Sequence, residues 1–248
     1  MNPEDFLAHL RRDAERMAEM ATGNLDAAVP ACPGWTVRDA LVHTGAVYSH
    51  KVACMRLGRQ PKDDEWASDG PADDGPEPTE WFRERFDELE HELTTRGPDA
   101  PSYTWHDDHQ TVGFWYRRMA QETAVHRVDV ESGSDAVSPV PDDLAVDGID
   151  EVLDWMLAYW NEEDVGPDGP GRGTVAVRTG DHIWRATLTA DKDVELVRDP
   201  GASDAVVSGE PSELLLWLWG RRPDSAVVRE GDEDLLRGFR DRIRSVTQ

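Results

Sequence analysis

Apolar side chains return every third or fourth position through the first part of the chain, and every second position after the glycine-rich stretch that ends at Gly173. The first spacing is that of a helix with one buried face, the second that of a half-buried strand. Phe6, Leu7, Leu10, Ala14, Met17 and Met20 predict a helix over 3–22. Thr36 stands where an N-cap belongs, ahead of a second helix that runs to Gly58. Trp81, Phe82, Phe86, Leu89 and Leu93 predict a third over 79–96, and a fourth runs from Gly113 to Ser132. Residues 143–161 (DLAVDGIDEVLDWMLAYWN) return to the helical period.

Beyond them TVAVRT, HIWRATLTA and DVELVRD alternate or are β-branched, with TGD and ADK as turn signals, so the second part opens on antiparallel strands. DAVVSGEPSELLLWLWGRRP reads as a short strand, a break and an apolar helix from Pro211 to Gly220. A last strand near SAVVRE leads into a helix with Leu235, Leu236, Phe239 and Ile243 on one face. EEDVGPDGPGRG is the clearest linker, because glycine and proline interrupt both periods. The fold class expected is therefore two-domain: an all-α helical domain over 1–163, then a small α+β domain over 172–248. No internal repeat is visible.

Composition narrows the classes. The chain has 248 residues, 38% apolar and including 10 Trp, enough for packed cores in one large domain or two modest ones. A net charge of −25 argues against nucleic acid, whose phosphates need a basic surface. With only Cys32 and Cys54, no disulfide framework is expected. The first twenty residues lack the apolar run of a signal peptide, and no window reaches the roughly 18 apolar residues of a membrane span. A cytoplasmic protein without membrane partners is the expectation.

The segment QETAVHRVD places Glu122 and His126 four apart, one above the other on a helix face. Such a pair forms either a solvated hydrogen bond or half of a metal site. His43, on the second helix, lies among Leu41, Val42 and Val47, where the apolar period predicts burial. Alone it reads as a core histidine. With Glu122 and His126 it makes two imidazoles and one carboxylate, the ligand count of an open catalytic zinc site. His50 shares the face of His43, and His106 with His109 in WHDDHQ form a more distant alternative in a polar loop. The acidic loop 60–79 lacks calcium-loop spacing. GPGRG has no strand before it or helix after it, and reads as linker and not as a phosphate cradle. Cys32, between prolines, is either a reactive thiol or a packed one.

The stretch VPACPGWTVRDALVHTGAVYSHK, followed by QETAVHRVDVE, the LAVDGIDEVL helix and VVSGEPSELLLWLWGRRP, resembles the mycothiol-dependent maleylpyruvate isomerase family of actinobacteria. The resemblance covers nearly the whole chain, in the same motif order. It implies a DinB-like four-helix bundle followed by a sterol-carrier-like α+β domain. It implies metal ligands at His43, Glu122 and His126, an acidic residue at Asp129 and an arginine at Arg221, with Arg222 beside it. Asp129 also reads as a surface helix carboxylate.

The implied cofactors are Zn²⁺, or another divalent metal, and mycothiol. Zinc favours a thiolate, and coordination keeps a thiol deprotonated at neutral pH. The implied partners are a low-molecular-weight thiol and a small electrophile, and the outcome is isomerisation or S-transfer. On that reading Asp129 orients a ligand or handles a proton, and Arg221 binds a carboxylate or a cofactor group. The alternative is a small-molecule binding protein in which Trp155, Trp160, Trp217 and Trp219 line a pocket. A metal-bound regulator is a weaker third reading, since no DNA-binding element is visible.

Overall fold

The computed structural model describes residues 1–72, 75–134, 137–159, 172–189 and 194–247. The chain forms two compact units, Met1–Ser138 and Pro139–Gln248.

The first unit is built on four long helices, as expected: α1 (Pro3–Ala21), α2 (Val37–Leu57), α3 (Pro78–Arg96) and α4 (Val112–Ser132). Their starts are encoded locally. Asn2 and Asp5 exchange side-chain hydrogen bonds with each other's backbone N–H groups ahead of α1, and Thr36 and Asp39 do the same ahead of α2. Gly58, in the left-handed conformation with φ 64°, closes α2.

Cross-helix pairs give the directions. Tyr48 meets Phe82 and Phe86, and Arg56 pairs with Glu92, so α2 and α3 run parallel. Parallel neighbours need a long return, which explains the extended acidic segment between Leu57 and Pro78. Within it, Asp63–Glu65 forms one 3₁₀ turn. Helix α4 runs antiparallel to α2 and is buried on nearly every side, from Val112 to Glu131. It is the central helix of the unit, and its polar residues must therefore find partners inside the protein.

The second unit holds α5 (Asp142–Glu151), continued by a π-helical stretch Val152–Ala158, then β1 (Gly173–Thr179), β2 (His182–Leu188), β3 (Val194–Val197), β4 (Ala205–Ser208), α6 (Pro211–Leu218), β5 (Val228–Gly231) and α7 (Glu233–Thr247). The sheet order is β3-β2-β1-β4-β5, antiparallel except for the parallel pair β1 and β4. Val175, Ala176 and Val177 on the central strand are all buried, as a strand covered on both faces requires.

Helix α5 stands with this unit, out of the helical domain in which the sequence placed it. The Trp184 indole N–H and Arg198 both donate to Asp150, and the Val140 N–H donates to Ser212 Oγ, tying the helix to β2, β3 and α6. The compact division thus falls before α5. Of the linker expected over 162–173, residues 162–171 lie outside the described residues, as does Trp160, and Gly173 already opens β1. Trp155, Trp217 and Trp219 are buried, as are Leu214, Leu215 and Leu218, and the Arg240 guanidinium lies 4.5 Å from the Trp217 ring. They fill the core of the unit. No described helix is long and apolar enough to cross a membrane.

Candidate metal centre

Where α2 and α4 pass each other, His43, Glu122 and His126 meet. One ligand atom from each lies within 4.8 Å of the other two. Glu122 Oε1 is 3.5 Å from His43 Nε2 and 3.4 Å from His126 Nε2. Both separations exceed the 2.7–3.2 Å or so of a good N–H···O hydrogen bond. They match the spacing of two ligands on one tetrahedral ion. With metal–ligand bonds of about 2.0–2.2 Å, tetrahedral geometry puts neighbouring donors about 3.3–3.6 Å apart.

The two ligands on α4 are held from behind. Arg118, one turn earlier on α4, donates to Glu122 Oε2 at 2.8 Å, leaving Oε1 to face the imidazoles. Asp129, one turn later, accepts from His126 Nδ1 at 2.9 Å, so the other ring nitrogen, Nε2, is the one turned toward Glu122. Asp129 is fully buried, which excludes its reading as a surface carboxylate. Burial pushes the His126 pKa down, but the hydrogen bond to Asp129 and the nearby charges of Glu122 and Asp129 outweigh it and raise the value to about 9. Burial also pushes the Glu122 carboxyl up, while both imidazoles and Arg118 hold it well below the usual carboxylate range. The metal-free protein keeps a proton among these groups, which a metal has to displace.

The loop before α2 covers the imidazoles. Successive turns, with Cys32 N–H donating to Val29 O and Trp35 N–H to Cys32 O, fold ACPGW back on itself. Trp35 lies 5.1 Å from the His43 ring and stacks at 6.2 Å on His126. Cys32 is half-buried, with Sγ 3.8 Å from Asp129 Oδ2.

Two expectations change. His43 was expected on a buried face, yet its side chain is 41% exposed, because this strip of α2 lines an open edge against α4. His106 was expected in a solvated loop. It is buried, with its ring 4.5 Å from His109, and the pair joins no third ligand among the described residues. Arg221 stands in the second unit just past α6, its Nη1 donating to Trp219 O, and Arg222 pairs with Glu213. Arg118 and Trp35 had not been singled out. The Arg118–Glu122 spacing of four was a visible signal for the first, whereas nothing in the loop sequence announces the second.

Residues 4–131 match the Mycothiol maleylpyruvate isomerase N-terminal domain, and residues 143–238 match the MDMPI C-terminal domain. The chain belongs to the mycothiol-dependent maleylpyruvate isomerase family. The first match takes in every residue of the metal centre, and the second starts inside α5, in agreement with the division of the fold. Crystal structures of the mycothiol-dependent maleylpyruvate isomerase and of its histidine-to-alanine mutant each share the fold, at a TM-score of 0.56. Each alignment covers 94% of this chain and 95% of the other, at 14% and 13% identity. No curated protein sequence matches this chain.

Proposed function

We propose that this protein is a zinc enzyme that uses mycothiol to attack a small electrophilic molecule, ending in isomerisation or in S-transfer. The observation that carries the reading is the convergence of one ligand atom each from His43, Glu122 and His126, with Glu122 Oε1 at tetrahedral ligand spacing from both imidazole nitrogens. The two isomerase structures of the same fold support the choice of thiol.

His43, Glu122 and His126 would hold the ion, whose one unit of uncompensated charge would keep a bound thiol ionised at neutral pH. Everything else falls to the chain. Arg118 fixes which oxygen Glu122 offers, and Asp129 fixes the tautomer and ring plane of His126. Trp35 shields the two imidazoles from water on one side, which strengthens the electrostatics of the centre. In this reading Asp129 is a positioning residue that can also take a proton from His126. Arg221 is proposed to bind a carboxylate or cofactor group, so Arg221→Lys lowers kcat/KM without changing zinc content.

The test is elemental mass spectrometry on untagged protein, with His43→Ala, Glu122→Ala and His126→Ala beside the wild type, and a mycothiol-dependent assay on a panel of electrophiles. About one zinc per chain, lost in all three variants together with thiol-dependent turnover, is the expected result. A folded wild type that stays metal-free when zinc is offered would sink the proposal.

A further inference from the structure

Helix α2 carries a second feature on the strip that presents His43. Val47, His50 and Lys51 are partly accessible, whereas Thr44, Gly45, Ala46 and Tyr48 between them are buried. Two turns separate His43 from Lys51, a rise of about 12 Å, and a helical side chain leans back toward the N-terminus, here toward His43. Lys51 is one of three lysines in a chain whose other cations are arginines.

The surroundings of Lys51 are unusual for an ammonium. Its Nζ lies 3.1 Å from His50 Nδ1 and 5.2 Å from the Trp115 ring centroid. Neither partner carries a negative charge. His50 is neutral, since burial and the charge of Lys51 push its pKa down to about 4, and Cys54 Sγ is a further 3.6 Å neighbour of the same Nδ1. With that nitrogen accepting, the proton of the His50 ring sits on Nε2, a second donor. Glu122 and Arg118 are near enough for their charges to act on Lys51, but Glu122 is already committed to Arg118 and to the two imidazoles. Among the described residues no carboxylate forms an ion pair with Lys51. A half-buried ammonium without a counter-charge is costly, and a ligand anion removes the cost.

We infer that Lys51, assisted by His50, is an anion subsite that binds a carboxylate of the electrophile, two helical turns from the metal ligands. Lys51 then determines specificity: it selects acids over their neutral esters and sets the distance between the carboxylate and the reacting carbon. This rests on the metal-centre reading above for the identity of the ligand as substrate, although binding at Lys51 is measurable without turnover.

The experiment is isothermal titration of zinc-supplemented wild type, Lys51→Met and Lys51→Arg with glutarate and with dimethyl glutarate, with zinc content measured in each protein. A charge-assisted contact predicts that glutarate binds the wild type about tenfold or more tighter than the diester. Lys51→Met loses about the same factor at unchanged zinc content, and Lys51→Arg recovers most of it. Equal glutarate binding by wild type and Lys51→Met, as expected of an acid that sits on the metal alone, overturns the proposal. So does a diester that binds as well as the acid, or a wild type that binds neither. The wild-type comparison of acid with ester stands even where a variant fails to fold. Lysine-dependent glutarate binding by a protein without zinc supports the subsite while removing the zinc reading, so the two fail separately.

Discussion

Helix α4 places a glutamate on each of two flanks, and only one of them belongs to the proposed metal centre. Glu131 faces α1, where Arg16 donates to Oε1, Arg127 to Oε2, and the Ser138 N–H and hydroxyl complete the set. Glu122 faces α2, where Arg118 answers Oε2 and the nearest groups to Oε1 are two imidazole nitrogens at 3.4 and 3.5 Å. Residue types are alike on the two flanks, although Glu131 is fully buried and Glu122 15% exposed. What differs is whether the converging groups are permanent donors or imidazoles that can give up a proton to a metal. A carboxylate met by donors on both oxygens is a cross-link between helices, whereas acceptors aimed at one point repel unless a proton or a cation stands between them. Ligand sites are recognised by a convergence that only an exchangeable proton or a cation can fill, and not by charge or depth.

The largest effect that would break this comparison is on stability. Arg127→Ala removes the fully buried guanidinium that serves Glu131 and lies near Asp13, leaving two buried carboxylates with only Arg16 and Arg12, both partly exposed, as cations. It should lower the unfolding free energy by about 3–5 kcal/mol, read from chemical denaturation, with zinc per folded molecule unchanged. His43→Ala should do the opposite. At a 41% exposed position the metal-free protein should lose no more than about 0.5 kcal/mol, while zinc binding disappears. If both variants moved stability and zinc together, the two flanks would be one network.

A smaller effect sharpens the ligand side. In Asp129→Asn the amide can present N–H to His126 Nδ1, which drives the ring proton to Nε2 and takes the lone pair away from the site. Zinc affinity should fall about 10–100-fold in competition with a chelator, with stoichiometry preserved at saturation. An unchanged affinity would mean that Asp129 is only part of the core.

How much of this was legible varies with the kind of information involved. Helices α1 to α4 could be read because their signals are local: Thr36 caps, Gly58 stops, and apolar stripes mark the lengths between. Glu122 and His126 were legible for the same reason, a fixed spacing on one helix. The parallel pairing of β1 with β4 was not, since it joins Val175 to Ala205 and Val177 to Val207 across two intervening strands. The attachment of α5 depends on Asp150 finding Trp184 and Arg198, partners more than thirty residues away. His43 was assigned to a buried face because periodicity registers apolar neighbours, and it cannot tell a core from the rim of a cleft. Trp35 over the imidazoles is also a tertiary fact, produced by turns in ACPGW whose direction no pattern states.

The smallest effect tests the filled flank by pH. Burial pushes the Glu131 carboxyl up, but the hydrogen bonds from Arg16 and Ser138 and the charge of Arg127 outweigh it, so its folded pKa is lowered. A carboxyl more acidic in the folded state contributes stability above its unfolded pKa of about 4.3, and that contribution is lost as pH falls through the lower folded value. Glu131→Gln removes the titration. The stability gap between wild type and Glu131→Gln should therefore be constant from neutral pH down to about 5 and then narrow on further acidification, measured as the difference between their thermal midpoints at matched ionic strength. A gap that stayed constant down to pH 3 would show that Glu131 holds the helices by shape and hydrogen bonding alone. The contrast with Glu122 would then rest only on the direction of lone pairs, without the charge on Glu131 contributing to it.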